Sequence, residues 1–270
     1  MKTILITGAT DGIGLETARQ LGAQGHRLLL HGRTLEKIQR TIEQLRAHQA
    51  DLAAEPVFGD LSEMRQVLEL AEQVKEKAPV LDVLLNNAGV FEHERRITQD
   101  GFELTMAINH FAPFLLTHAL LDTVKAAPQG RVITVSSIAH QGGYLDLDDL
   151  TFTRSFSGYD AYCTSKLANI LFTVALAQRL KGTAVTANCL HPGVISTKLL
   201  HSGFSIGGAS VDQGARTSVY LATAEEIGTV SGQYFIDSRP VKPSSTACDT
   251  ALAEAFWQAS AELLQPFLVE

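Results

Sequence analysis

Along the chain, short runs that are nearly all apolar alternate with longer segments whose apolar residues recur at helical spacing. Thr3 to Thr7 reads as a strand, and Gly12 to Leu21 follows with a helical pattern. Further strands are expected at Arg27 to His31, Pro56 to Phe58, Val80 to Leu85, Arg131 to Ser136, Ala184 to Leu190 and Gln233 to Ile236. The residues between them are enough for crossover helices. Runs such as Leu81 to Leu85 and Val132 to Val135 suit strands buried on both faces of a parallel sheet. The pattern therefore predicts an α/β fold: a doubly wound, parallel, seven-stranded sheet with helices on both faces. Such sheets take ligands at the carboxyl ends of their strands. No linker, charge block or repeat divides the chain, so residues 1–270 read as a single domain. Two stretches break the rhythm, at about 138–158 and 194–214, and are expected to be binding walls or lids, with plain surface insertions as the alternative.

Composition narrows the class. A chain that is 45% hydrophobic and 19% charged can bury a large core. Its N-terminal apolar stretch is far too short for a secretory segment or a span, so no membrane is expected. Cys163, Cys189 and Cys248 have neither disulfide-like nor metal-like spacing, which fits a reducing, cytoplasmic setting and no metal site. The net charge of -7 argues against nucleic acid as a partner.

The first strand runs into Thr7-Gly8-Ala9-Thr10-Asp11-Gly12-Ile13-Gly14. Residues without a Cβ at a strand-to-helix turn let backbone amides approach a pyrophosphate, which a helix N-terminus attracts. A tight turn alone would also explain them. The spacing Gly-x-x-x-Gly-x-Gly resembles the fingerprint of short-chain dehydrogenases/reductases, and further motifs carry the likeness. Asn86-Asn87-Ala88-Gly89 ends the fourth strand, Ser136-Ser137 the fifth, and Tyr162-Cys163-Thr164-Ser165-Lys166 places a phenol and an ammonium four residues apart on one helix face. Ser-Ser-x-Ala-His and Tyr-Cys-x-Ser-Lys-Leu-Ala-Asn are similar to the retinol dehydrogenase-like branch, as is the tail through Trp257, which is read as packing.

The resemblance implies a Rossmann fold and a nicotinamide dinucleotide. Gly8, Thr10, Asp11, Gly12, Ile13 and Gly14 would hold its pyrophosphate half; Asn87, Ala88 and Gly89 would pass near its ribose. Pro192, Gly193, Val194 and Thr197 would contact its nicotinamide, together with Tyr162 and Lys166. Asp60 and Leu61 match an adenine-contacting pair, although Asp60 could equally cap a helix. At the end of the second strand, where an acidic residue would hold the ribose of NAD, this chain has Gly32 followed by Arg33, whose fork of donors suits a phosphate. NADP(H) is therefore the expected cofactor, a solvated helix-start Arg33 being the alternative.

The catalytic set implied is Asn109, Ser137, Tyr162 and Lys166. Tyr162 would exchange the proton, Lys166 would lower its pKa, Ser137 would hold the substrate oxygen, and Asn109 would position the lysine or serve a buried structural bond. Val90, Phe91, Ser137, Tyr144, Leu199 and Phe204 are expected to line the place of an apolar carbonyl or alcohol substrate. A redox sensor without turnover and a reductase of carbon-carbon double bonds are the alternatives. Helices around His110 to Leu121 and Asn169 to Leu180 are expected to pair with a second copy, giving a homo-oligomer, a dimer or tetramer.

Overall fold

The computed structural model describes residues 1–204 and 206–268. Seven parallel strands run through it: β1 (Thr3–Ile6), β2 (Arg27–Gly32), β3 (Ala54–Phe58), β4 (Val83–Asn86), β5 (Arg131–Val135), β6 (Thr186–His191) and β7 (Tyr234–Ile236). The sheet has an eighth strand that the sequence pattern did not predict, β8 (Arg239–Pro240), antiparallel to β7 at the edge. Two exposed residues, one a proline, give neither alternation nor an apolar run, and proline is tolerated only on such an edge.

The spatial order β3-β2-β1-β4-β5-β6-β7-β8 reverses direction between β1 and β4. Chains leaving those two strands diverge to opposite faces and open a crevice at their carboxyl ends. Side chains in each strand alternate between two cores: Leu5, Leu29, Leu84 and Val132 face one side, and Ile4, Leu28, Leu85 and Ile133 the other. Both faces are covered, which is why the strands read as unbroken apolar runs.

The helices are α1 (Gly12–Ala23), α2 (Leu35–His48), α3 (Met64–Lys77), α4 (Leu104–Met106), α5 (Ala112–Lys125), α6 (Gly158–Arg179), α7 (Lys198–Gly203), α8 (Val211–Thr223), α9 (Thr250–Leu263) and α10 (Gln265–Leu268). A π-helical turn, Ala107–Phe111, joins α4 to α5. The resulting run Leu104–Lys125 is long and apolar enough to cross a membrane by length and composition, yet 72% of its most apolar window is buried within the fold. The two irregular stretches are partly ordered. The first begins with a 3-10 turn, Ile138–Gly142, and the second contains α7; Ser205 lies outside the described residues.

The helix faces expected to meet a second copy are occupied by this chain's own C-terminal segment. Trp257 of α9 stacks on Phe172 of α6 at 5.7 Å and 4°, and lies 4.6 Å from the Phe114 ring of α5. Arg179 closes over the same indole at 4.1 Å, and its guanidinium pairs with Glu254. Phe256 packs 4.5 Å from the fully buried His110, whose Nε2 lies 2.9 Å from Ser260 Oγ. Aromatic and cation–π contacts of this kind supply the apolar cover that a partner was expected to provide. Part of the apolar surface of α5 and α6 expected to meet a second copy is thus covered within the chain.

Candidate active site

One cleft of about 570 Å³ runs along the carboxyl edge of the sheet, from Arg33 and Asp60 past the glycine-rich turn to Ser137 and Tyr162. The turn has no room for side chains. A Cβ on Gly14 would fall 2.3 Å from the Gly8 carbonyl oxygen, and Gly8, at φ +65°, would meet Ala88 Cα at 2.9 Å. Thr7 and Asn87 stitch this region together: the amides of Asn87 and Ala88 donate to Thr7 Oγ1, and Asn87 Nδ2 donates to the Thr7 carbonyl at 2.8 Å. Ala88 is thus small because the first turn crosses it. Asp11 caps α1 through the Gly12 amide, and its other oxygen pairs with Lys198 of α7, whose ammonium holds the carboxyl below its ordinary range.

Gly8, Thr10, Asp11, Gly12, Ile13, Gly14, Arg33, Asp60, Leu61, Asn87, Ala88 and Gly89 all line this cleft. At its other end stand Pro192, Gly193, Val194 and Thr197, the last accepting from the Leu200 amide as the cap of α7. Asp60 does not cap α3. Its carboxylate accepts from the Ser62 amide and hydroxyl, while the first amide of α3, at Met64, donates to Asp100 from a distant loop. Lys37, four residues after Arg33 on the first turn of α2, also lines the cleft. That second cation was missed in the sequence, because Arg33 precedes α2 and no helical spacing links the two.

Tyr162 and Lys166 share the inward face of α6, with Lys166 Nζ 5.5 Å from the phenol ring centroid. The ammonium donates to the Val135 carbonyl at 3.1 Å, and burial pushes its pKa down to about 8. Tyr162 is only 6% exposed, and burial pushes it up to about 12 against the pull of the Ser137 side chain. The expectation that Lys166 would depress the phenol is reversed here. Burial is the largest cause, and it favours the protonated phenol.

Ser136 and Ser137 divide the work at the end of β5. Ser136 Oγ donates to the Lys166 carbonyl at 2.6 Å and is structural, whereas Ser137 caps the 3-10 turn and lines the cleft beside Tyr162. Asn109 lies within the π-helical turn, a distortion that often marks functional sites. Its Oδ1 accepts from the Val90 amide at 2.8 Å, and its Nδ2 donates to the Val90 carbonyl and to Ser165 Oγ. It therefore pins the loop after β4 to α6. A Cβ on Gly89 would sit 3.4 Å from Lys166 Nζ and 3.5 Å from Asn109 Oδ1, so these groups meet at one point.

Of the expected substrate wall, Val90, Leu199 and Phe204 line the cleft. Phe91 stands behind it, its ring 5.6 Å from Tyr162 and 5.4 Å from Phe204, with Gly203 pressed against its face. Tyr144 is not brought in. Its carbonyl is tied to Thr164 Oγ1 at 2.7 Å, Gly143 packs on the α6 backbone, and the tyrosine is 78% exposed. Ile138 and Ile206 line the cleft instead; as isolated apolar residues in irregular stretches they carried no periodic signal.

A sheet with this switch point, a glycine cradle at its first turn and a phenol-ammonium-hydroxyl group at the end of the same cleft define a nucleotide-binding oxidoreductase of the Rossmann type. The chain belongs to the short-chain dehydrogenase/reductase family, whose short chain dehydrogenase model matches residues 2–205. It is 38% identical to retinol dehydrogenase 13 of Homo sapiens over 279 aligned positions, covering 97% of this chain and 84% of that protein. Retinol dehydrogenase 12 of Homo sapiens is also 38% identical, over 97% of this chain and 86% of that one. Among solved structures, an uncharacterized protein from Mycobacterium Paratuberculosis superposes with a TM-score of 0.83 at 32% identity, over 98% of this chain and 94% of that one.

Proposed function

We propose that the protein is an NADP(H)-dependent oxidoreductase that moves a hydride between the nicotinamide and the carbonyl or alcohol carbon of an apolar small molecule, with Tyr162 as the general acid/base. The observation that carries this reading is the gathering of Ser137, Tyr162 and Lys166 at one end of a single cleft whose other end holds Arg33 and Lys37. The residues fit a dinucleotide: the cradle at Gly8 and Gly14 is a space that a Cβ would fill, and the same cleft is lined by Arg33 and Lys37 and by Tyr162 and Lys166. Gly8 to Gly14 would hold the diphosphate, Arg33 and Lys37 a ribose phosphate, and Pro192 to Thr197 the nicotinamide end. When bound, the dinucleotide supplies or accepts the hydride.

The chain's own groups handle the proton and the charge. In the reducing direction the buried phenol of Tyr162 starts protonated and gives its proton to the substrate oxygen, a transfer that contributes about 10²–10⁴-fold. Ser137 Oγ steadies that oxygen by hydrogen bonding. Lys166 compensates the phenolate left behind, which in a dry site is the costly species. Asn109 positions Val90 and Ser165 around the lysine. Phe91 and Phe204 beside Tyr162 exclude water and favour an apolar substrate; the similar retinol dehydrogenases are named for an apolar alcohol.

The test is oxidation of NADPH, followed by absorbance, against a panel of apolar aldehydes and ketones across pH. The ammonium of Lys166 is present below about pH 8 and is lost as pH rises through that value. Tyr162 remains protonated throughout. Reduction is therefore expected to be flat below about pH 8 and to fall above it. No turnover with any carbonyl compound would remove the reading, and a rate that rises through pH 8 would remove the role given to Lys166.

A further inference from the structure

His31, the fifth residue of β2, has no part in the chemistry above, yet both its ring nitrogens are engaged. The Gly8 amide donates to Nδ1 at 3.2 Å, and Nε2 lies 2.9 Å from the Gly59 carbonyl oxygen. A carbonyl can only accept and an amide N–H can only donate, so the proton must sit on Nε2 and the lone pair on Nδ1. One neutral tautomer is specified. Burial keeps the ring neutral, pushing the imidazole down to about 4 against the opposing pull of the Gly59 carbonyl and, more weakly, Asp60.

The two turns joined by this ring are the walls of the cleft's phosphate and adenosine half. Gly8 belongs to the glycine-rich turn, and Gly59 immediately precedes Asp60. Main-chain bonds frame the same junction: the Ala9 amide donates to the His31 carbonyl at 2.9 Å, and the Gly59 amide to the Gly32 carbonyl at 3.3 Å. Gly8 has no side chain with which to fix its own peptide, and its φ of +65° is one that glycine adopts freely. That peptide is held from both sides: Asn87 Nδ2 donates to its Thr7 carbonyl at 2.8 Å, and its Gly8 amide donates to His31 Nδ1, the acceptor that ties it to β2.

We propose that His31 is a positioning residue for the dinucleotide: its Nε2–H tautomer locks the glycine-rich turn to the turn after β3 and sets the distance between the diphosphate cradle and the adenosine wall. This rests on the reading of the cleft as a dinucleotide site. It differs from a purely structural role because the cost of losing the ring falls on cofactor binding and spares the chemical step, which takes place at the other end of the cleft.

Three variants separate the two bonds. His31→Phe keeps the ring and loses both, His31→Asn keeps an acceptor where Nδ1 sits, and His31→Gln keeps only a donor toward Gly59. Each is checked for folding by thermal melting, then titrated with NADPH and NADH by fluorescence and assayed for KM and kcat. Loss of the acceptor for a semi-buried amide is expected to weaken dinucleotide binding about tenfold in His31→Phe and His31→Gln. His31→Asn should recover most of that, with kcat at saturating dinucleotide staying within about twofold of wild type in all three. If His31→Phe does not fold, the comparison of Gln with Asn carries the test. Folded Phe or Gln variants that bind both dinucleotides as tightly as wild type, or an Asn variant no better than Gln, would overturn the proposal. A wild-type protein that binds neither dinucleotide would instead overturn the cofactor reading beneath it.

Discussion

Tyr162→Phe is expected to lower kcat/KM for carbonyl reduction by about 10²–10⁴-fold while leaving the melting temperature and the dinucleotide Kd close to wild type. The phenol is buried with its ring against Phe91 and Phe204, so phenylalanine preserves the packing and removes only the hydroxyl. Losing that hydroxyl leaves Ser137 with no acidic neighbour. A neutral serine can polarise the substrate oxygen but is far too weak an acid to deliver a proton. The loss should therefore appear in kcat, the mark of an interaction made in the transition state. Steady-state kinetics combined with fluorescence titration of the dinucleotide checks both halves. A variant that keeps its rate would show that the proton comes from elsewhere, and one that loses binding would show that Tyr162 is chiefly a cofactor contact.

Arg33→Ala combined with Lys37→Ala is expected to reduce the preference for NADPH over NADH by about 100-fold in kcat/KM, almost wholly through weaker use of NADPH. Both side chains line the cleft beside Gly32, which offers no carboxylate to a ribose diol. The Gly32 site is also closed to one: a Cβ there would lie 2.7 Å from Thr10 Cγ2. The neighbouring charges Asp11 and Asp60 disfavour a dianion unless cations answer them, and Asp11 is already met by Lys198. Charge-assisted bonds to phosphate are worth more than neutral ones, so removing two should be felt strongly. Kinetics with each dinucleotide separates the possibilities. An equal fall with NADH would mean that the pair serves the fold of α2, and no change with either would remove NADP(H) as the preferred partner.

Much of this site was legible because its chemistry is tied to chain order. Tyr162 and Lys166 share a helix face by spacing alone, and the glycine turn and the Asn87 turn each follow an apolar run that could only be a buried strand. What could not be read depended on contacts between distant segments. His31 is an ordinary strand residue until Gly8 and Gly59 close on it, and Tyr144 turns outward because Thr164 holds its carbonyl. The C-terminal helix α9 carries an apolar face that suits a partner chain or its own core equally well. In the fold that face packs on α6, with Trp257 stacked on Phe172. The direction of the Tyr162 shift belongs to the same class: spacing gives the neighbour but not the depth of burial, and burial prevails.

The central claim is that a hydride passes to a carbonyl carbon at the Tyr162 end of the cleft. It is tested most directly by following a deuterium placed at C4 of reduced NADP into the product by mass spectrometry, using both C4 epimers. The account predicts that the label from one epimer is found on the carbinol carbon of the alcohol formed. A label on a carbon that had been part of a carbon-carbon double bond, or an alcohol that carries no label from either epimer, would contradict it.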